Sequence, residues 1–442
     1  MSRLLSGFVS VFRDIFRRAK RGRAELAWVV LGQMLALSGA LIGIKVLTNA
    51  LGTEKYGLLS LGLTIAGLLN LFVYGPVSQW VLRFFSIHRE RGETGAFFLA
   101  IRRIYLIATL AVSAAAGLAL AALSTLVATE WLLLIAAAVV FAVAAGANSM
   151  FIALQSAIRD RKVVALHQGA DAWLRPVLAL LALYFFGDTS HVVLLGFCAG
   201  TLLVTASQAL QASRSLAVLR DREHSRLTPK QWQSVRKEFA AYVLPFGLMA
   251  LFGAISLYAD RWILQGLFGE HEVGIYAVMY QMANAPIAVL VGIVSQLMVP
   301  VIYDRAGTMT TAAQAARSKQ AVFETVGITS LIMAGLTVVA YSFGQPLIAI
   351  FSTPEFAAHH ATLWVLVLGV ALFNVAQLLT LRGFSSRQTD LYIWPKGIQA
   401  LSFVLTALAL VRGHGILGIA VAVVISSLIY LAHVVWVNRR VR

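Results

Sequence analysis

The sequence predicts an all-α polytopic membrane protein with twelve transmembrane helices in two six-helix bundles around a central cavity. Composition, the placement of basic residues and an internal repeat predict it. Of 442 residues, 59% are hydrophobic and 12% are charged. Soluble domains carry roughly a quarter charged residues. A mean hydropathy of +0.81 is too high for one soluble core, so lipid must solvate much of the surface. Apolar runs recur from residue 26 to residue 437 and leave no room for a separate soluble domain. They are too long and too continuously apolar for barrel strands, the other structure that spans a bilayer.

The elements follow in order. Residues 1–25 form a cytoplasmic amphipathic segment. Leu4, Leu5, Phe8, Phe12, Ile15 and Phe16 recur at helical spacing, and Arg13, Arg17, Arg18, Lys20, Arg21 and Arg23 accompany them. Such a helix lies on the membrane surface with its basic residues among the headgroups, and it lacks the usual form of a signal peptide. A spanning helix takes about 20 apolar residues. By that measure the spans run at 26–50, 57–82, 104–126, 130–155, 164–186, 191–212, 240–266, 273–302, 320–351, 358–381, 389–411 and 414–437. The first six make an N-terminal bundle, 26–212, and the last six a C-terminal bundle, 240–437. The polar stretch 213–239 reads as a cytoplasmic linker and 438–442 as a cytoplasmic tail.

Basic residues set the orientation. On this span count, 30 of the 36 Lys and Arg fall on one side, 2 (Lys55 and Arg412) on the other, and 4 within spans. Cytoplasmic loops carry the excess, so both termini face the cytoplasm. One missed span would scramble the alternation. The net charge of +17 is therefore juxtamembrane charge and does not point to nucleic acid. The outer loops are short and leave no room for an outer catalytic domain. Cys198, the single cysteine, makes no internal disulfide.

The halves share a pattern at an offset of 217 residues. Gly52 and Gly57 fall on Gly269 and Gly274, Val77-Ser78-Gln79 falls on Val294-Ser295-Gln296, and Ala66 falls on Ala283. Six spans per half is an even number, so the halves run in the same direction, related by an axis along the membrane normal. Halves of this kind enclose a cavity and rock between inward-open and outward-open forms. That geometry points to a transporter and not to an enzyme.

The segments Ala259-Asp260-Arg261-Trp262-Ile263-Leu264, Leu267-Phe268-Gly269 and Val273-Gly274-Ile275-Tyr276 resemble spans seven and eight of Wzx-type polysaccharide flippases. So do Leu51-Gly52-Thr53-Glu54-Lys55-Tyr56-Gly57 and Gly413-His414-Gly415-Ile416-Leu417-Gly418. These flippases belong to the multidrug/oligosaccharidyl-lipid/polysaccharide exporter superfamily. The resemblance covers nearly the whole chain in span count and loop pattern, although its motifs are short. It implies transfer of an undecaprenyl-pyrophosphate-linked glycan from the inner to the outer leaflet for O-antigen, capsule or exopolysaccharide assembly. The partners it implies are that glycan, the bilayer, and a polysaccharide polymerase or ligase. Other branches export drugs by H⁺ or Na⁺ antiport, so ion coupling is an expectation, with no other cofactor.

An anionic lipid head needs cations in an apolar wall, and each intramembrane charge costs about 3 kcal/mol. Lys45 in span 1 and Arg261 in span 7 lie at nearly equivalent depths and are candidates to line the cavity. The plainer reading is a structural ion pair, for instance Lys45 with Asp260. Arg83 and Arg382 end spans 2 and 10 on the inner side, where they either receive the pyrophosphate or snorkel as anchors. Asp260 and Asp171 are candidates for ion coupling or charge balance. Asp171 is four residues from Arg175, on the same helical face, which favours a local salt bridge. Asp390 and Lys396 flank Trp394-Pro395 and carry a weaker signal. Asn284, Gln281, Asn148, Gln155, Asn374 and Gln377 either contact sugar hydroxyls or bridge packed helices. His359-His360 is a poor metal pair because adjacent helical residues point apart. His271-Glu272 lacks the second His of a zinc-protease helix, and no GxxxxGK[ST] phosphate loop occurs. The alternatives to a flippase are a cation-coupled multidrug exporter of the same superfamily and a non-transporting membrane scaffold for polysaccharide assembly.

Overall fold

The computed structural model describes residues 2–220, 227–306, 311–386 and 388–441, with side chains from residue 25 onward except at 214–220, 245–246, 248–249 and 300. All regular structure among the described residues is helical. Helix α1 (Ser2–Leu69) passes through a π turn (Asn70–Tyr74) into α2 (Gly75–Glu90). Pro76 has no N–H to donate, and the ladder slips, with Gly75 N–H reaching Asn70 O. The chain continues as α3 (Thr94–Leu123), α4 (Thr129–Ile158), α5 (Arg161–Phe186) and α6 (Ser190–Arg220). Then come α7 (Pro229–Phe268), α8 (Glu270–Ala306), α9 (Ala312–Phe351) and α10 (Pro354–Ala357). The last elements are α11 (His360–Leu379), α12 (Leu381–Ser385), a 3-10 turn (Thr389–Tyr392) and α13 (Ile393–Asn438). Local chemistry sets several boundaries. Asp160 caps α5 by accepting from Val163 N at 3.2 Å. Thr311 and Gln314 form a reciprocal capping box that starts α9.

Nine helical stretches among the described residues are long and apolar enough to cross a bilayer. Two of them, Glu25–Glu90 with 66 residues and Thr389–Asn438 with 50, far exceed the roughly 20 needed for one crossing. Each contains a glycine outside the helical region, Gly52 at φ +69° and Gly415 at φ +52°. Gly269, between α7 and α8, has φ +85°. Gly52 and Gly269, the pair at the repeat offset, thus share a backbone conformation that L side chains rarely adopt.

The chain divides into two compact units, residues 50–254 and residues 1–49 with 255–442. The boundaries fall inside α1 and α7, whereas the repeat divides the chain within 213–239. In the 50–254 unit, Trp80, Phe85 and Phe97 are buried at the centre of one core. Trp80 lies 4.8 Å from the Phe97 ring and 5.4 Å from that of Phe239. The start of α7 is therefore packed, and Arg103 stacks 4.3 Å over Trp232. What reads as linker sequence is helical from Pro229 and anchored by its aromatics; residues 221–226 lie outside the described residues. Further along this unit, α5 and α6 pack backbone to backbone. A Cβ on Gly196 would stand 2.5 Å from Ala179 Cα, and one on Gly200 would stand 3.1 Å from Arg175 N. In the second unit, Met298, Ile302, Val322, Ala376 and Tyr430 anchor a core shared by α8, α9, α11 and α13.

Candidate functional site

The most deeply buried ion pair among the described residues joins Asp260 and Arg261 of α7, 2% and 8% exposed. Charges in an apolar helix need partners, and α8 supplies them. Tyr276 donates its hydroxyl to Asp260 Oδ2 at 2.7 Å. Arg261 Nη1 donates to Asp260 Oδ1 at 3.3 Å and to Leu257 O at 3.0 Å. The guanidinium lies 4.9 Å from the Tyr280 ring centre and 6.0 Å from that of Tyr276. Tyr276 and Tyr280 are four residues apart, so both face the pair. The arrangement holds a cation on aromatic faces with its charge balanced by one carboxylate. Sequence reasoning named the two charges but not the tyrosines, whose four-residue spacing in an apolar run was the available signal.

Lys45 does not pair with Asp260. Its ammonium donates to Ala349 O at 3.1 Å and to Ser352 O, at the C-terminal end of α9. A cation there satisfies orphan carbonyls and the negative end of the helix dipole. Arg382 donates to Val441 O at 2.7 Å, and Arg83 is exposed on α2.

Lys396 is more unusual than its sequence signal suggested. It is 8% exposed, and neither a carboxylate nor a hydrogen-bond acceptor meets its ammonium among the described residues. It lies instead 4.0 Å from the Phe373 ring centre and 5.3 Å from that of Tyr430. Tyr430 is held by donating to Gln377 Oε1 at 2.5 Å. A cation over two aromatic faces is partly compensated, by about 2 kcal/mol when desolvated. Nothing local in the sequence revealed this, because Phe373 comes from α11 and Tyr430 lies 34 residues further along α13, beyond the break at Gly415.

The expected Asp171–Arg175 salt bridge forms at 2.5 Å in the 50–254 unit. Thr201 of α6 completes it, donating to Asp171 Oδ1 at 2.9 Å and accepting from Arg175 Nε at 3.0 Å. The amides divide into two groups. Asn374 bonds Val370 O of its own helix at 2.8 Å, Gln377 holds Tyr430, and Asn284 and Gln281 are half-buried on α8. Asn148 Oδ1 and both polar atoms of Gln155 on α4 are buried without a hydrogen-bond partner among the described residues, as is the whole amide of Gln208 on α6. Buried amides in this state call for water or a ligand.

Structural comparison finds this fold of long apolar helices in solved transporters. An inward-facing multidrug resistance MATE family transporter of the MOP superfamily matches with TM-score 0.69 and 17% identity, over 93% of this chain and 94% of that one. The lipid II flippase MurJ, in an inward closed conformation, matches with TM-score 0.68 and 14% identity, over 93% and 87%. A MOP superfamily transporter from Pyrococcus furiosus, described as having a binding pocket of reverse polarity, matches with TM-score 0.67 and 16% identity, over 94% and 95%. The particular family comes from the sequence. Residues 23–304 match the model of the polysaccharide biosynthesis protein family, and the chain belongs to that family. No curated protein matches.

Proposed function

We propose that the protein flips an undecaprenyl-pyrophosphate-linked oligosaccharide from the cytoplasmic to the outer leaflet by alternating access. The observation that carries this reading is the family: a polysaccharide biosynthesis protein with a transporter fold moves an intermediate of that synthesis. On this reading the twelve spans form two six-helix bundles in the bacterial inner membrane, both termini cytoplasmic. Arg261 and Lys396 are the intramembrane cations best suited to an anionic head, because such charges are costly and are retained for function. Lys45 and Arg83 act nearer the helix ends. Asp171 and Asp260 balance charge or exchange an ion, and the unpartnered amides Asn148 and Gln155 meet sugar hydroxyls.

The test is reconstitution in liposomes with a fluorescent undecaprenyl-pyrophosphate disaccharide and an impermeant quencher. The expected result is protein-dependent loss of inner-leaflet fluorophore, and its absence overturns the reading. The second reading, a cation-coupled multidrug exporter, draws on the fold shared with a MATE transporter. It requires efflux of a lipophilic cationic dye driven by an imposed H⁺ or Na⁺ gradient.

A further inference from the structure

A pocket of about 380 Å³ opens in the second unit where α9, α11, α12 and the last turn of α13 meet. Three cations reach it from distant parts of the chain: Lys319, Arg382 and Arg439. Phe323, Leu379 and Val435 supply its apolar wall, and Asn438 its polar floor. We propose that this pocket binds the phosphate of an anionic lipid from the cytoplasmic leaflet, independently of the transported cargo.

Charge supplies the first argument. Among the described residues no carboxylate lines the pocket, and three like charges converge on it. Glu324, beside Phe323 in sequence, is already engaged by Arg305 at 3.7 Å and by Gln320 at 2.7 Å. An anion from outside relieves the repulsion, and Arg offers a fork that fits phosphate oxygens. The floor is also rigid. Asn438 is 3% exposed; it donates to Leu379 O at 3.0 Å and accepts from Tyr392 at 2.5 Å. Tyr392 in turn accepts from Gly383 N at 3.1 Å, and Arg382 is tied to Val441 O. Helix ends and the arginine are therefore held in place before a ligand arrives.

The wall argues for a lipid over free phosphate. Phe323 and Val435 are 46% and 40% exposed, an apolar surface that suits the first carbons of a tail and is wasted on an inorganic ion. Depth agrees with this. Arg440 stacks 3.6 Å over Trp436 on the same last turn of α13, and Trp with Arg marks the headgroup level.

The experiment uses the full chain, purified and delipidated in detergent, titrated with phosphatidylglycerol or phosphatidylcholine, with bound lipid counted by native mass spectrometry. Phosphatidylglycerol should bind about tenfold more tightly than phosphatidylcholine. The variant Lys319→Gln/Arg382→Gln/Arg439→Gln should lose that preference. Because Arg382 also bonds the backbone, Lys319→Gln/Arg439→Gln is the second variant, expected to lose about threefold with an unchanged melting temperature. A control removing the exposed cations Arg89, Arg91 and Arg102 of the other unit should keep the preference. Equal loss in the control, or no preference in the parent chain, means unspecific snorkelling and overturns the proposal. Displacement of phosphatidylglycerol by millimolar inorganic phosphate overturns the lipid assignment.

Discussion

Arg261 and Lys396 occupy similar surroundings but differ in partner, and their variants should differ accordingly. Arg261 is balanced by a buried carboxylate. Removing it in Arg261→Ala leaves Asp260 uncompensated, which costs about 3–5 kcal/mol. The double variant Asp260→Asn/Arg261→Gln removes both charges and should recover most of the thermal stability in detergent. If Arg261 serves the cargo, transport stays lost in that double variant, and recovered transport assigns the pair a structural role alone. Lys396 has no such partner. Lys396→Met should raise the melting temperature, since about 3 kcal/mol of intramembrane charge cost outweighs about 2 kcal/mol from the aromatic faces. Transport should fall at the same time, and a variant both less stable and fully active would refute this account.

The Lys55–Asp188 pair of the 50–254 unit sits at 2.7 Å near the Gly52 and Gly187 turns. The hydrogen bond from Lys55 lowers the Asp188 carboxyl below its ordinary value. A lowered carboxyl pKa stabilises above the unfolded value of about 3.9 and is lost as pH falls through the folded one. Solvent screens this exposed pair, so Asp188→Asn should leave the melting temperature at pH 7 unchanged. Ser190 is buried and donates to Lys55 O at 2.7 Å. Ser190→Ala should therefore cost about 1 kcal/mol in the same melting experiment.

Among the elements, α5 and α6 show how small residues set packing. Gly196 and Gly200 are four residues apart and face α5 backbone with no room for a side chain. Helices in lipid associate through such close approach, because burial from water is not available to drive them together. Gly196→Val should separate α5 from α6 and also strain the Asp171–Arg175–Thr201 group that bridges them. The expected cost is about 1–3 kcal/mol, read from denaturation in detergent. Gly117 on α3 has open space around it, and Gly117→Val should cost well under half of that. The glycine spacing was visible in the sequence, but its partner helix was not, since any neighbour with an exposed backbone would satisfy it.

For the whole molecule, the decisive property is orientation. The 30-to-2 charge split expects both termini and the 213–239 region on one side. Thr53, a natural reporter position by sequence, is 6% exposed and would label poorly for steric reasons. Cysteines at the exposed positions Glu54 and Gln233 avoid that problem, and Cys198 is buried. An impermeant thiol reagent on intact cells should label Glu54→Cys and spare Gln233→Cys until the membrane is opened. Equal labelling refutes the twelve-span topology.

By itself, the sequence determined the helical membrane class, the long apolar helices, the charged residues within them and the matched glycines Gly52 and Gly269. All of these are local or periodic properties, written in composition, spacing and backbone freedom. Tertiary structure alone decided what each charge meets. Lys45 donates to carbonyls 304 and 307 residues away, Arg261 stacks on tyrosines of the next helix, and Lys396 rests on rings from two other stretches of chain. The pocket cations Lys319, Arg382 and Arg439 are likewise brought together from separate elements. The physical reason is that apolar helices in lipid carry little side-chain code for their partners. Pairing depends on shape, close backbone approach and the satisfaction of a few buried polar groups, and these exist only once the helices have packed.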